Sequence, residues 1–77
     1  MIKVLFFAHL QEEIGRGEME LDNADIPVRN LKSYLQEKYN LSRMDQVMVA
    51  INEEYAVDDD EIKDGDVVAF IPPVSGG

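Results

Sequence analysis

A chain of 77 residues allows one domain and no more. A formal net charge of −9 argues against nucleic acid and anionic membranes, which call for Lys and Arg, and favours a basic protein partner. With no cysteine there is no disulfide framework, thiolate metal site or thiol nucleophile, and a reducing compartment suits the composition.

Hydrophobic residues make up 45% of the chain, enough for a core. A fold this small nonetheless buries only about 60% of its unfolded surface. No segment approaches the roughly 20 apolar residues of a membrane-spanning helix. The opening "MIKVLFFAHL" has a short apolar run with Lys3 as its only preceding cation, and "QEEIG" offers no small-residue cleavage site. The expectation is a soluble cytoplasmic protein.

"IKVLFFA", Ile2 to Ala8, is rich in strand formers. Period two puts Ile2, Val4 and Phe6 on one side and Lys3, Leu5 and Phe7 on the other, wetter side. "HLQEEIG" suits one helical turn, with Leu10 and Ile14 four apart and Gly15 as the stop. "EMEL", Glu18 to Leu21, alternates like a half-buried strand, and Gly15 and Gly17 make a tight connection plausible.

"NADIP" is turn-like. It predicts Pro27 in the first turn of a helix, where a missing N–H costs little, with Asp25 near the positive helix end. That helix runs from Val28 to about Tyr39. Val28, Leu31 and Leu35 form the apolar stripe, and Asn40 is the stop. "QVMVAIN", Gln46 to Asn52, reads as a buried strand, and "EYAV" as a short one after a turn at Asn52-Glu53. "DDDEIKDGD" reads as loop or turn, sharpest at Asp64-Gly65. "VVAFI", Val67 to Ile71, is the last strand, ended by Pro72 and Pro73. The order strand, strand, helix, strand, short strand, strand predicts an α+β fold. One main helix packs on one face of a mixed sheet, and the apolar first and last strands lie centrally. If those strands are neighbours, this is the β-grasp, or ubiquitin-like, arrangement. Residues 1–71 are then the domain, and 72–77 a flexible projecting tail.

Conventional catalytic sets are missing. His9 is the only histidine, so no Ser-His-Asp or Cys-His arrangement can be assembled, and a surface position is expected for it. "DDDE", Asp58 to Glu61, with Asp64 and Asp66, lacks the alternate carboxylates and central glycine of a calcium loop. A solvated acidic turn is the first expectation for it, and a contact with a basic protein the second. Alternation leaves Phe7, Tyr55 and Ile71 away from the helix. Singly such residues need no explanation, whereas together they would form a docking patch, and the pattern leaves both readings open.

The remaining candidate is the C-terminal stretch "PPVSGG". Six extended residues reach roughly 20 Å. Pro72 and Pro73 stiffen its base, Val74 and Ser75 form a stalk, and Gly76 and Gly77 can pass a narrow channel. Such a tail can deliver its α-carboxylate into another protein, where activation is needed before any nucleophile attacks it.

These residues carry a family resemblance. "VAFIPPVSGG", Val68 to Gly77, closely resembles the C-terminal signature of the molybdopterin synthase small-subunit family. "MIKVLFFA" resembles that family's first strand, and "VAINEEY" and "IKDGDVVAF" its later strand and turn. A terminal double glycine is common among ubiquitin-like proteins; "PPVSGG" behind "DGDVVAFI" is the specific part. The pattern departs at His9 and Gln11, where members often carry a basic residue, and at Tyr55, where an aliphatic residue is expected.

The resemblance implies a β-grasp sulfur carrier in molybdenum cofactor biosynthesis that is not itself catalytic. An ATP-dependent activating enzyme would adenylate Gly77, and sulfur would then replace one oxygen to give a thiocarboxylate. The tail, Pro72 through Gly77, would insert into a large subunit holding the active site and donate sulfur to cyclic pyranopterin monophosphate. The implied assembly is a heterotetramer docked through Phe7, Tyr55 and Ile71, with no bound cofactor or metal. The alternatives are a thiamine-pathway sulfur carrier, a ubiquitin-like modifier conjugated through Gly77, and an interaction module with an inert tail.

Overall fold

The computed structural model describes residues 1–22, 25–41 and 44–73. Its first strand, β1 (Ile2–Phe6), follows the expected alternation: Ile2, Val4 and Phe6 are buried and Lys3 is exposed. A short helix α1 (Ala8–Ile14) follows, and Gly15 closes it at φ 90°, with its N–H donating to the Gln11 carbonyl at 2.9 Å. This helix exceeds the single turn expected. Leu10 is buried and Ile14 packs against the same core, so the two anchor both turns.

Strand β2 (Glu18–Leu21) pairs antiparallel with β1 and buries Met19 and Leu21. Next come β3 (Asp25–Pro27) and the main helix α2 (Val28–Tyr39). The remaining strands are β4 (Met48–Ile51), β5 (Glu54–Ala56), β6 (Glu61–Lys63) and β7 (Val67–Ile71). The main sheet has the order β2-β1-β7-β4-β5. Among the described residues only the β1–β7 pair is parallel, and α2 lies within the long crossover such a pair requires. The first and last strands are thus neighbours inside the sheet, as a β-grasp demands.

The core lies on one face of this sheet. Val4 is opposite Val68, and Phe6 is opposite Phe70, their rings stacked with centroids 6.1 Å apart. Val49 pairs with Phe70 on the next strand. Val28, Leu31 and Leu35 of α2 are fully buried in the same cluster. Asn40 ends α2 at φ 54°, as its place after the last apolar residue predicts.

Two expectations need correction. Pro27 is not inside the first helical turn: it ends β3 and caps α2 in an extended conformation, φ −65° and ψ 150°. The acidic stretch is not all loop either, because Glu61–Lys63 is strand β6 and pairs with β3 through Ile26 and Ile62. Ile62 is fully buried, whereas the residues flanking it are exposed. A lone isoleucine between charged neighbours shows too few apolar positions to display an alternating pattern. The strand boundaries also tighten: β1 ends at Phe6 rather than Ala8, and β4 starts at Met48, since Gln46 belongs to a short 3-10 helix.

The acidic turn has a structural task. No side chain caps the start of α2. Instead the Val28 N–H donates to the Asp60 carbonyl at 2.9 Å, and the Arg29 N–H to the Asp58 carbonyl at 3.1 Å. These bonds satisfy helix-end donors that have no intrahelical partner. Asp59 pairs with Arg29 at 2.7 Å, and Asp58 with Lys32 at 3.1 Å. The aspartates are well exposed, so each pair contributes about 0–1 kcal/mol. Backbone capping is the larger role of this turn.

Candidate functional site: the outer sheet face and the tail root

Alternation that sends Ile2, Val4 and Phe6 inward sends Leu5 and Phe7 outward. The register then fixes the rest of the outer face. Leu5 lies opposite Ala69, Ala69 opposite Ala50, and Ala50 opposite Tyr55, in one row across four strands. Ile71 pairs with Met48 in the next row, and Phe7 extends β1's outward side toward that end. Phe7, Tyr55 and Ile71 therefore share one face, although Tyr55 stands apart on the edge strand.

This face is apolar and open. Phe7 is 45% exposed, Met48 48% and Tyr55 72%. Leu5, Ala69 and Ile71 are half-buried. Among the described residues neither α1 nor α2 supplies a core contact here, because their buried residues join the opposite face. Leu5, Met48, Val67 and Ala69 were not singled out from the sequence as site residues. The signal was present in the alternation of β1 and β7, but it needed the β4–β7 register to assemble the face.

A turn at Asn52 and Glu53 borders the face, with φ 51° and 72° respectively. Two successive left-handed residues are the conformation of the two-residue hairpin turn that matches strand twist. Asn52 holds it in place. Its N–H donates to the Val67 carbonyl at 2.8 Å, and its side-chain oxygen accepts from the Val67 N–H at 3.0 Å. Its amide also donates to Asp66 at 3.0 Å. The other oxygen of Asp66 accepts from the Lys63 N–H at 2.8 Å. That backbone bond, then the Asn52 bond, hold the Asp66 carboxyl below its ordinary pKa. Beside this turn lies a groove of about 350 Å³ lined by Leu5, Phe7, Asn52, Glu53, Val67 and Ala69.

The tail is rooted at the end of β7, beside Ile71. Pro72 is buried and Pro73 exposed. Val74, Ser75, Gly76 and Gly77 lie outside the described residues. His9 is exposed on α1, away from the core. Among the described residues no three His, Cys, Asp or Glu side chains gather as a metal-ligand set, and no helix is long and apolar enough to cross a membrane.

An apolar, open sheet face therefore lies beside the end of β7. Comparison with known proteins gives this arrangement its family. Residues 4–77 match the ThiS family. The chain is 39% identical to the molybdopterin synthase sulfur carrier subunit of Escherichia coli (strain K12), covering 100% of both chains. Its fold is similar to SAMP1 from Haloferax volcanii, with a TM-score of 0.82 and 29% identity over 99% of this chain and 98% of that one. It is also similar to a chain in the complex of subunits 1 and 2 of the molybdopterin-converting factor from Helicobacter pylori. The TM-score there is 0.69, with 26% identity over 99% of this chain and 97% of that one. Sequence and fold agree: the chain belongs to the ThiS family of small β-grasp sulfur carriers, alongside the molybdopterin synthase sulfur carrier subunits.

Proposed function

We propose that this chain is the sulfur carrier subunit of molybdopterin synthase and that Gly77 bears the transferred sulfur. The observation that carries this reading is the family match through residue 77, joined to an apolar docking face at the tail's root. The chemistry is that of acyl activation. A free carboxylate resists attack because its leaving group is poor, so an ATP-dependent enzyme adenylates Gly77. A sulfur donor displaces AMP, which gives the thiocarboxylate. The partner's active site then takes sulfur from that group onto cyclic pyranopterin monophosphate, leaving the carboxylate to be recharged.

The division of labour follows from the family match, which makes this chain a carrier and not the catalyst. The catalytic residues belong to a large subunit, against which Phe7, Tyr55 and Ile71 dock. Two such subunits at the centre and one carrier at each end would make a heterotetramer. Pro72 holds the root, and Pro73 through Gly76 thread the carboxylate inward. Such a carrier would work in the cytoplasm, which cell fractionation would test.

The test is intact mass measurement of the protein isolated from cells. A species heavier by the exchange of one oxygen for sulfur, lost on removal of Gly77, is expected. A second reading has support in the likeness to SAMP1, because another solved neighbour, from Methanosarcina acetivorans, is named small archaeal modifier protein 1. In that reading Gly77 ends in an isopeptide bond to a lysine. Conjugates in lysates without any sulfur-bearing species would favour it and remove the first.

A further inference from the structure

The groove beside the Asn52-Glu53 turn has a composition that selects among side chains. Leu5, Phe7, Val67 and Ala69 supply apolar surface, and Glu53 stands at the wall. The other polar side chain there, Asn52, is already committed: its oxygen accepts from Val67 and its amide donates to Asp66. Glu53 has no hydrogen-bond or ion-pair partner among the described residues. Its backbone sits in a turn whose neighbouring residue, Asn52, is clamped to Val67, so the side chain starts from a held position beside the groove.

We infer that this groove accepts a long cationic side chain, arginine or lysine, from the partner that docks on the outer face. Such side chains combine an apolar stem with a charged tip. The stem would lie against Leu5, Phe7 and Ala69, and the tip would reach the Glu53 carboxylate. A neutral aliphatic side chain would leave Glu53 facing apolar surface with its charge unanswered, which is unfavourable as water is excluded. The net charge of −9 adds a field that draws cationic partners toward the chain as a whole. The inference rests on the docking reading above. It adds that the patch reads charge at one position as well as burying apolar area.

The test titrates purified large subunit against the wild-type chain and the variants Glu53→Gln, Glu53→Lys, Glu54→Lys and Phe7→Asp, at low and at physiological salt. Glu54 is a charge-matched control, since it lines a different groove with Tyr55, Asp60 and Glu61. Glu53→Gln should weaken binding about 3- to 10-fold, and Glu53→Lys about 30-fold or more, both with reduced salt dependence. Glu54→Lys should stay within about 3-fold. Equal losses for Glu53→Lys and Glu54→Lys would show a general field and overturn the groove assignment. Wild-type affinity for Glu53→Lys with binding lost in Phe7→Asp would overturn the groove while sparing the docking face. Wild-type affinity for both would overturn the docking face itself. Should Glu53→Lys fail to fold, Glu53→Gln decides, because it keeps the shape and removes only the charge.

Discussion

The two faces of the five-stranded sheet are built from alternate residues of the same strands. On β1, Ile2, Val4 and Phe6 are at most 2% exposed, while Phe7, just past the strand's end, is 45% exposed. On β7, Val68 and Phe70 are fully buried and Ile71 is half-buried. Both faces are apolar at their centre, so hydrophobicity alone does not tell them apart. The helices make the difference: α1 and α2 cover one face, and nothing among the described residues covers the other. If the inner face serves stability and the outer face binding, as proposed, substitutions on each should separate the two properties.

The largest expected effect on the inner face comes from Phe70→Ala. It removes a ring stacked on Phe6 and should cost about 3–5 kcal/mol. A domain of this size has roughly 4–12 kcal/mol in total. Thermal or urea unfolding should show a protein that is barely folded or unfolded. A loss under about 1 kcal/mol would break the assignment of this face as the core.

The outer face should behave in reverse. Phe7→Asp should weaken large-subunit binding by about 2–4 kcal/mol, or roughly 30- to 1,000-fold, with an unchanged melting temperature. A comparable loss of stability would mean that Phe7 is core after all. Between the faces lies Asn52, which ties the β4–β5 turn to β7. Asn52→Ala loses its side-chain bonds and places alanine at a left-handed φ of 51°, so about 1–2 kcal/mol of destabilisation is expected. Hydrogen exchange at the Val67 amide should quicken in the same variant.

The smallest effect is the acid response of Asp66. Its folded pKa lies below its unfolded one, so the folded state binds its proton less readily. The stabilisation is therefore full above the ordinary aspartate pKa, near 4, and is lost as pH falls through the depressed folded value. Asp66→Asn should flatten this part of the stability profile by lowering stability at neutral pH toward the value reached in acid. An identical acid profile in both proteins would exclude Asp66 as a contributor.

The sequence made some of this legible and hid the rest for physical reasons. Helix α2 was readable at both ends because Val28, Leu31 and Leu35 repeat at helical spacing and Asn40 tolerates the left-handed stop. Strand β7 was readable to the residue, since Pro72 cannot continue a ladder. Strands β3 and β6 were missed because each pairs over three residues with only Ile26 and Ile62 as signals. The capping role of Asp58 and Asp60 runs through backbone carbonyls, which carry no sequence signature. Of the outer face, Phe7, Tyr55 and Ile71 were found from strand parity. Leu5 shares the parity of Phe7, whereas Met48, Val67 and Ala69 joined the face only with the register, because pairing between distant strands is not written in local pattern.

The most direct test of the central claim charges the purified chain as a Gly77 thiocarboxylate and mixes it with large subunit and cyclic pyranopterin monophosphate. Molybdopterin should form from the wild-type chain, with two chains consumed per product. The equally charged, equally folded Phe7→Asp chain should yield little. No product from the wild-type chain, or full product from Phe7→Asp, would contradict the account.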